Sequence, residues 1–193
     1  MKKISSICVF CGSNTGNNKK HIVAAKRLGT LIAQKGLTLV YGGGKVGLMG
    51  IIADTVINKG GKVIGVIPKH LANRGIMHTG ITKLHIVNGM HQRKALMAKL
   101  SDAFIAMPGG IGTLEEFIEV VAWSSLGLHK KTFGLLNTAG YFNSLINFFK
   151  HIINEGFYNK EHNALIFIKS TPDALLNEII MGHSKNSCPL VSV

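Results

Sequence analysis

Three glycine-rich stretches hold the residues best suited to chemistry. Cys11-Gly-Ser13, Tyr41-Gly-Gly-Gly-Lys-Val-Gly-Leu-Met-Gly50 and Pro108-Gly-Gly-Ile-Gly-Thr-Leu-Glu-Glu116 each follow a short apolar run. Glycine permits positive φ and close backbone approach, so such loops can surround an oxyanion with N–H groups at a helix start. Gly43, Gly44, Gly109, Gly110 and Gly112 are the candidate contacts, and a phosphate is the natural guest. Thr113 and Glu116 stand three apart where a helical pattern resumes, which gives them one face and puts an acid in the first turn. A carboxylate near a helix N-terminus favours its charged form and suits stabilising positive charge. The same spacing also spells a capping box, in which Glu116 would be structural. Arg93 and Lys94, taken alone, read as solvated helix charges.

Neither long loop is a Walker A motif, since the second holds Lys45 inside the loop with no Gly-Lys-Ser/Thr, and the usual dinucleotide fingerprint is imperfect because the glycine loop follows the second strand rather than the first. The expected ligand is therefore a mononucleotide rather than a dinucleotide.

The elements that must position these loops are legible as apolar runs. Ile7–Phe10, Leu37–Tyr41, Val63–Ile67, Leu84–Val87, Ala103–Met107 and Thr132–Leu136 are short and nearly continuous in hydrophobicity, the pattern of strands buried on both faces. Amphipathic stretches such as Ala24, Leu28, Leu31 and Ile32 lie between them. Alternation of this kind predicts a single-domain, doubly wound (Rossmann-like) α/β parallel sheet with helices on both faces, and ligands outside the carboxyl ends of its strands. Residues 1–182 are expected to form the nucleotide-binding domain and 183–193 a flexible tail.

Composition narrows the function further. With 46% hydrophobic and 16% charged residues, the 193-residue chain can bury a core, yet no stretch reaches the length of a membrane span. The start, MKKISSICVFCGS, imitates a secretory signal, but Ser5 and Ser6 interrupt it and Phe10 stands where a small residue is wanted; a first buried strand fits better. Cys8-Val-Phe-Cys11 spells C-x-x-C, but strand residues three apart face opposite ways and no second pair completes a metal site. The expectation is one core thiol and one loop-edge thiol in a reducing cytoplasm, with no metal. The net charge of +13 is lopsided: residues 1–101 hold 16 Lys and Arg against the single acid Asp54. These cations are scattered, without the dense run of a nucleic-acid arm, so one phosphate site is favoured over polynucleotide binding.

Taken together, Cys11-Gly-Ser13, Tyr41-Gly-Gly-Gly44 with Gly47-Leu-Met-Gly50, Met90-His-Gln-Arg-Lys94 and Pro108-Gly-Gly-Ile-Gly-Thr-Leu-Glu-Glu116 closely resemble the LONELY GUY family. The similarity runs from about residue 5 to about residue 157, through Trp123, His129, Leu135-Leu-Asn137 and Gly140-Tyr141. It departs at Asn73-Arg-Gly75, Lys83, Ser125 and Thr132, outside the central motifs. Members are cytokinin riboside 5'-monophosphate phosphoribohydrolases, which release the free base and ribose 5-phosphate from an adenine nucleotide without a cofactor. The resemblance implies that Arg93 and Glu116 are the catalytic pair. It also implies that Gly109, Gly110, Gly112 and Thr113 bind phosphate, with Ser13, Met90 and Lys94 nearby, and that the protein is a homodimer or dimer-built oligomer. Cleavage would pass through an oxocarbenium-like transition state, which a fixed carboxylate stabilises. A nucleotide or cofactor carrier and a single-strand DNA binder are the competing classes for such a fold.

Overall fold

The computed structural model describes residues 3–158 and 166–182. The expected tail at 183–193, with Cys188, lies outside them. Seven parallel strands form one sheet in the order β4-β3-β2-β1-β5-β6-β7. They are β1 (Ser6–Phe10), β2 (Thr38–Tyr41), β3 (Lys62–Pro68), β4 (Lys83–Val87), β5 (Ala103–Ala106), β6 (Thr132–Leu136) and β7 (Ile166–Lys169). The central strands β1, β5 and β6 are buried along their whole length, which is why they read as unbroken apolar runs.

The chain steps outward from β1 to β4 and then returns to lay β5 against the other side of β1. Right-handed crossovers put helices on opposite faces when the direction of travel reverses. Accordingly α1 (Lys20–Gln34) and α2 (Gly47–Asn58) share one apolar core, which α7 (Pro172–Gly182) joins. The helices α4 (Met90–Lys99), α5 (Ile111–Ser125) and α6 (Asn143–Asn154) close the other. A short turn α3 (Lys69–Leu71) and a five-residue wide turn, Ala72–Ile76, bridge β3 to β4. The reversal makes the gap between the ends of β1 and β5 the switch point of the sheet, where ligands of such folds sit. Among the described residues no helix is long and apolar enough to cross a membrane.

Strand β7 goes beyond the six apolar runs expected from sequence. It pairs with β6 from Phe133↔Ile166 to Leu136↔Lys169. Its helix then starts in a recognisable way, with Thr171 accepting from the Ala174 amide at 3.4 Å and Pro172 at the first helical position.

Candidate active site

The three glycine loops meet at the switch point. The Gly12 amide donates to the Pro108 carbonyl at 3.1 Å, tying the loop after β1 to the loop after β5, and the Leu48 amide donates to the Gly12 carbonyl at 3.0 Å, drawing in α2. The second loop is stapled on its far side, where the amides of Lys45 and His78 donate to Ile76 and Gly43. Gly43 (φ 74°) and Gly47 (φ 58°) are left-handed, so glycine is required there; a Cβ on Gly47 would also lie 2.3 Å from the Ser13 carbonyl carbon.

Helix α5 begins at Ile111, with Gly110 as an extended N-cap (φ −89°, ψ −161°) and no side-chain cap. The first backward bonds of the helix run from Thr113 and Leu114 to the Gly110 carbonyl. The amides of Gly109, Gly110, Ile111 and Gly112 find no acceptor among the described residues, as expected where a helix start is open to an anion. This register corrects two sequence expectations. Glu116 stands in the second turn rather than the first, and the Thr113–Glu116 capping box does not form, because the cap is at Gly110. The macrodipole fades within the first turn, so it is not what sets the charge of Glu116.

Arg93 does that instead. Its Nη1 lies 2.6 Å from Glu116 Oε1, and both residues are only 7% exposed. Its Nε donates to the Val66 carbonyl at the end of β3 at 3.1 Å, and Met90 Sδ lies 4.0 Å from Nη1. Burial pushes the Glu116 carboxyl above its ordinary 4.5, while the Arg93 guanidinium pulls it back. Arg93 is thus not a solvated helix charge. Nor is Lys94, whose ammonium is 8% exposed and held by Glu115 and, at 3.0 Å, by Glu119. Burial pushes Lys94 down, but these two carboxylates outweigh it and hold the amine above its ordinary value. The structure therefore brings Arg93 and Glu116 together in the interior and turns Lys94 toward α5. Thr113 is buried one turn before Glu116, and Ser13 is exposed at the rim.

The sequence reading did not assign two supports of this site. Gly42 leaves room for the guanidinium: a Cβ there would stand 2.1 Å from Arg93 Nη2. Tyr141 donates its hydroxyl to the Gly109 carbonyl. Gly42 lies in the second glycine loop and Tyr141 follows Gly140, but nothing in their spacing shows what they touch.

A family model described as "possible lysine decarboxylase" matches residues 49–179. The cytokinin riboside 5'-monophosphate phosphoribohydrolase LOG1 of Arabidopsis thaliana is 51% identical over 172 residues, covering 89% of this chain and 80% of that protein. A probable enzyme of the same name, LOGL6 of Oryza sativa subsp. japonica, is 49% identical over 90% of this chain and 69% of its own. The chain belongs to the LONELY GUY family. Solved structures below 25% identity share the fold. A molybdenum cofactor binding protein from Rippkaea orientalis has a TM-score of 0.68 at 24% identity, covering 93% of this chain and 96% of that one. DNA processing protein A from Streptococcus pneumoniae has a TM-score of 0.56 at 14%, covering 91% and 62%.

The description of the family model would call for a pyridoxal Schiff base, which needs a lysine that can become neutral. The buried lysine of this LONELY GUY site does not fit. Lys94 is paired with two carboxylates and its charged form is favoured.

Proposed function

We propose that the protein hydrolyses the N-glycosidic bond of adenine nucleoside 5'-monophosphates, AMP or its N6-modified forms, to free base and ribose 5-phosphate. The observation that carries this reading is the buried Arg93–Glu116 pair beside an open α5 N-terminus, in a chain half identical to enzymes of that name. The amides of Gly109, Gly110 and Gly112 and the Thr113 hydroxyl hold the 5'-phosphate, with Ser13, Gly43, Gly44 and Met90 around the nucleoside and Lys94 bracing α5. As the C1'–N bond breaks, its electron pair leaves with the base and C1' gains positive charge. Ionised Glu116 stabilises that charge, and Arg93 keeps the carboxylate ionised and aimed. Water then bonds to C1', and its proton balances the one taken up by the departing base.

A homodimer is supported by exposed apolar side chains on and just after α5. Ile118, Leu126 and Leu128 are 38%, 75% and 69% exposed, and Ile118 lines a cavity of about 210 Å³ together with Val121, Phe149, Ile152 and Ile153. Leu126 directly follows α5, and its exposure makes it a candidate for this interface. Two buried free thiols, Cys8 and Cys11, suit a cytoplasmic setting.

The test is to incubate the purified protein with AMP, isopentenyl-AMP and adenosine and resolve released bases by chromatography. Base from the two phosphates and little from adenosine is the expected result. Binding of AMP without release would make the protein a carrier, and tight, salt-steep binding of single-stranded DNA would make it a nucleic-acid binder. A solution mass of one 20.8 kDa chain at micromolar concentration would remove the dimer.

A further inference from the structure

The stretch Asn137–Tyr141 follows β6 and has no part in the chemistry above. It is nonetheless built against the phosphate loop. Asn137 Oδ1 accepts from the Phe142 amide at 2.7 Å, and its Nδ2 donates to Asn143 at 2.8 Å. Between these bonds Ala139 (φ 57°) and Gly140 (φ 70°) are both left-handed, a conformation that a residue with a Cβ adopts only when its surroundings impose it. The bend delivers Tyr141. Its ring is held edge-on to buried His21, with centroids 5.6 Å apart, and edge-on to Phe142 at 5.0 Å. Its hydroxyl donates to the Gly109 carbonyl.

We infer that Tyr141 is a positioning residue for 5'-phosphate recognition, fixing the peptide between Gly109 and Gly110 through the Gly109 carbonyl. A trans peptide sets its C=O and N–H on opposite sides, so holding the carbonyl fixes the direction of the Gly110 N–H. The neighbouring peptide is held the same way, since the Pro108 carbonyl accepts from Gly12 and thereby sets the Gly109 N–H. Without the tyrosine hydroxyl, a loop this rich in glycine is free to turn that peptide, and one phosphate donor is no longer preorganised. The His21 and Phe142 contacts belong to the ring, so they survive loss of the hydroxyl.

This inference rests on the phosphate site of the proposed function, and Tyr141→Phe tests it. AMP and adenosine binding are measured by calorimetry in the Glu116→Gln background, where bound AMP persists. Steady-state cleavage of AMP is measured with Glu116 in place. The expected result is AMP binding weakened on the order of 5-fold, the scale of one neutral hydrogen bond, with adenosine binding unchanged and the loss of activity appearing in KM rather than kcat. Unchanged AMP binding would overturn the inference, as would an equal loss for AMP and adenosine. Should the unsubstituted protein release no base from AMP, the proposed reaction fails, while the contrast between AMP and adenosine still reads the role of Tyr141.

Discussion

Gly42→Ala isolates the placement of Arg93 from its chemistry. The substitution adds one methyl group and removes no polar atom. Gly42 is not left-handed, so the backbone accepts alanine, but the new Cβ would stand 2.1 Å from Arg93 Nη2 and 3.1 Å from Met49 Sδ. Non-bonded heavy atoms prefer about 3.5 Å or more, so the guanidinium must retreat by roughly 1.4 Å. It has little freedom to do so while keeping both its 2.6 Å contact with Glu116 and its 3.1 Å bond to the Val66 carbonyl. A misplacement of about 1 Å in such a pair costs on the order of 100-fold in rate, whereas overpacking of this kind destabilises by about 1–3 kcal/mol. The assay is single-turnover cleavage of AMP beside equilibrium AMP binding and thermal unfolding. Gly89→Ala is the control, since a Cβ there meets nothing within 4 Å. The expected result is a kcat loss near 100-fold with AMP affinity changed far less. A Gly42→Ala protein with unaltered kcat would refute the argument that Arg93 must lie where it does. Equal losses in affinity and turnover would show that the loop, rather than the ion pair, had been disturbed.

Glu116→Gln keeps size and a hydrogen-bond acceptor but removes the charge, so turnover should fall on the order of 100-fold or more while AMP binding changes little, checked by the same pair of measurements. Because burial raises the Glu116 carboxyl above 4.5, the acid limb of the kcat profile should fall above that value, and Arg93→Ala should move it higher still. A carboxyl raised in the folded state favours the native protein when protonated, a contribution that is lost as pH rises from 4.5 through the folded value. Relative to Glu116→Gln, the unsubstituted protein should therefore lose stability across that window, read as Tm against pH. Cys8 and Cys11 are buried, and burial pushes both thiols up, so neither should be alkylated by iodoacetamide in the native protein, as located by peptide mass spectrometry.

What was legible in the sequence is what local pattern encodes. Six strands could be read because burial on both faces writes itself as apolar continuity, and the glycine loops could be read because each follows a strand. Strand β7 carries the same signal in Ile166-Phe-Ile168 and is as long as β2 and β5, so it was legible by the same rule although it lies at the edge of the sheet. C-x-x-C resolved as expected into opposite faces, with Cys8 in one core and Cys11 in the other, although Cys11 at the loop edge is as deeply covered as a core residue. The frame of α5 was not legible, because Gly110 and Thr113 can each open a helix on paper. The partners of Arg93 and Lys94 could not be derived from spacing either. Their carboxylates lie on a different helix, and what joins α4 to α5 is the reversal of the sheet, which places both on one face.

The glycines themselves gain a different meaning from the structure. Read in sequence, they are conformational, permitting positive φ beside an anion. At Gly43 and Gly47 that holds. Gly42 and Gly109, however, have no positive φ, and their lack of a side chain serves clearance. A Cβ on Gly42 would strike the Arg93 guanidinium, and one on Gly109 would stand 2.1 Å from the Thr113 hydroxyl and 2.7 Å from the Gly12 amide. Each position is occupied, in effect, by a side chain arriving from another element: Arg93 from α4, Thr113 from α5. A larger residue at either site would leave the loop able to form but push aside the group that the loop is meant to accompany. Clearance thus accounts for Gly42 in the second loop and Gly109 in the third, where a buried guanidinium and a hydroxyl pack directly against backbone, while Gly43 and Gly47 answer to positive φ and Gly110 and Gly112 leave open space beside the start of α5.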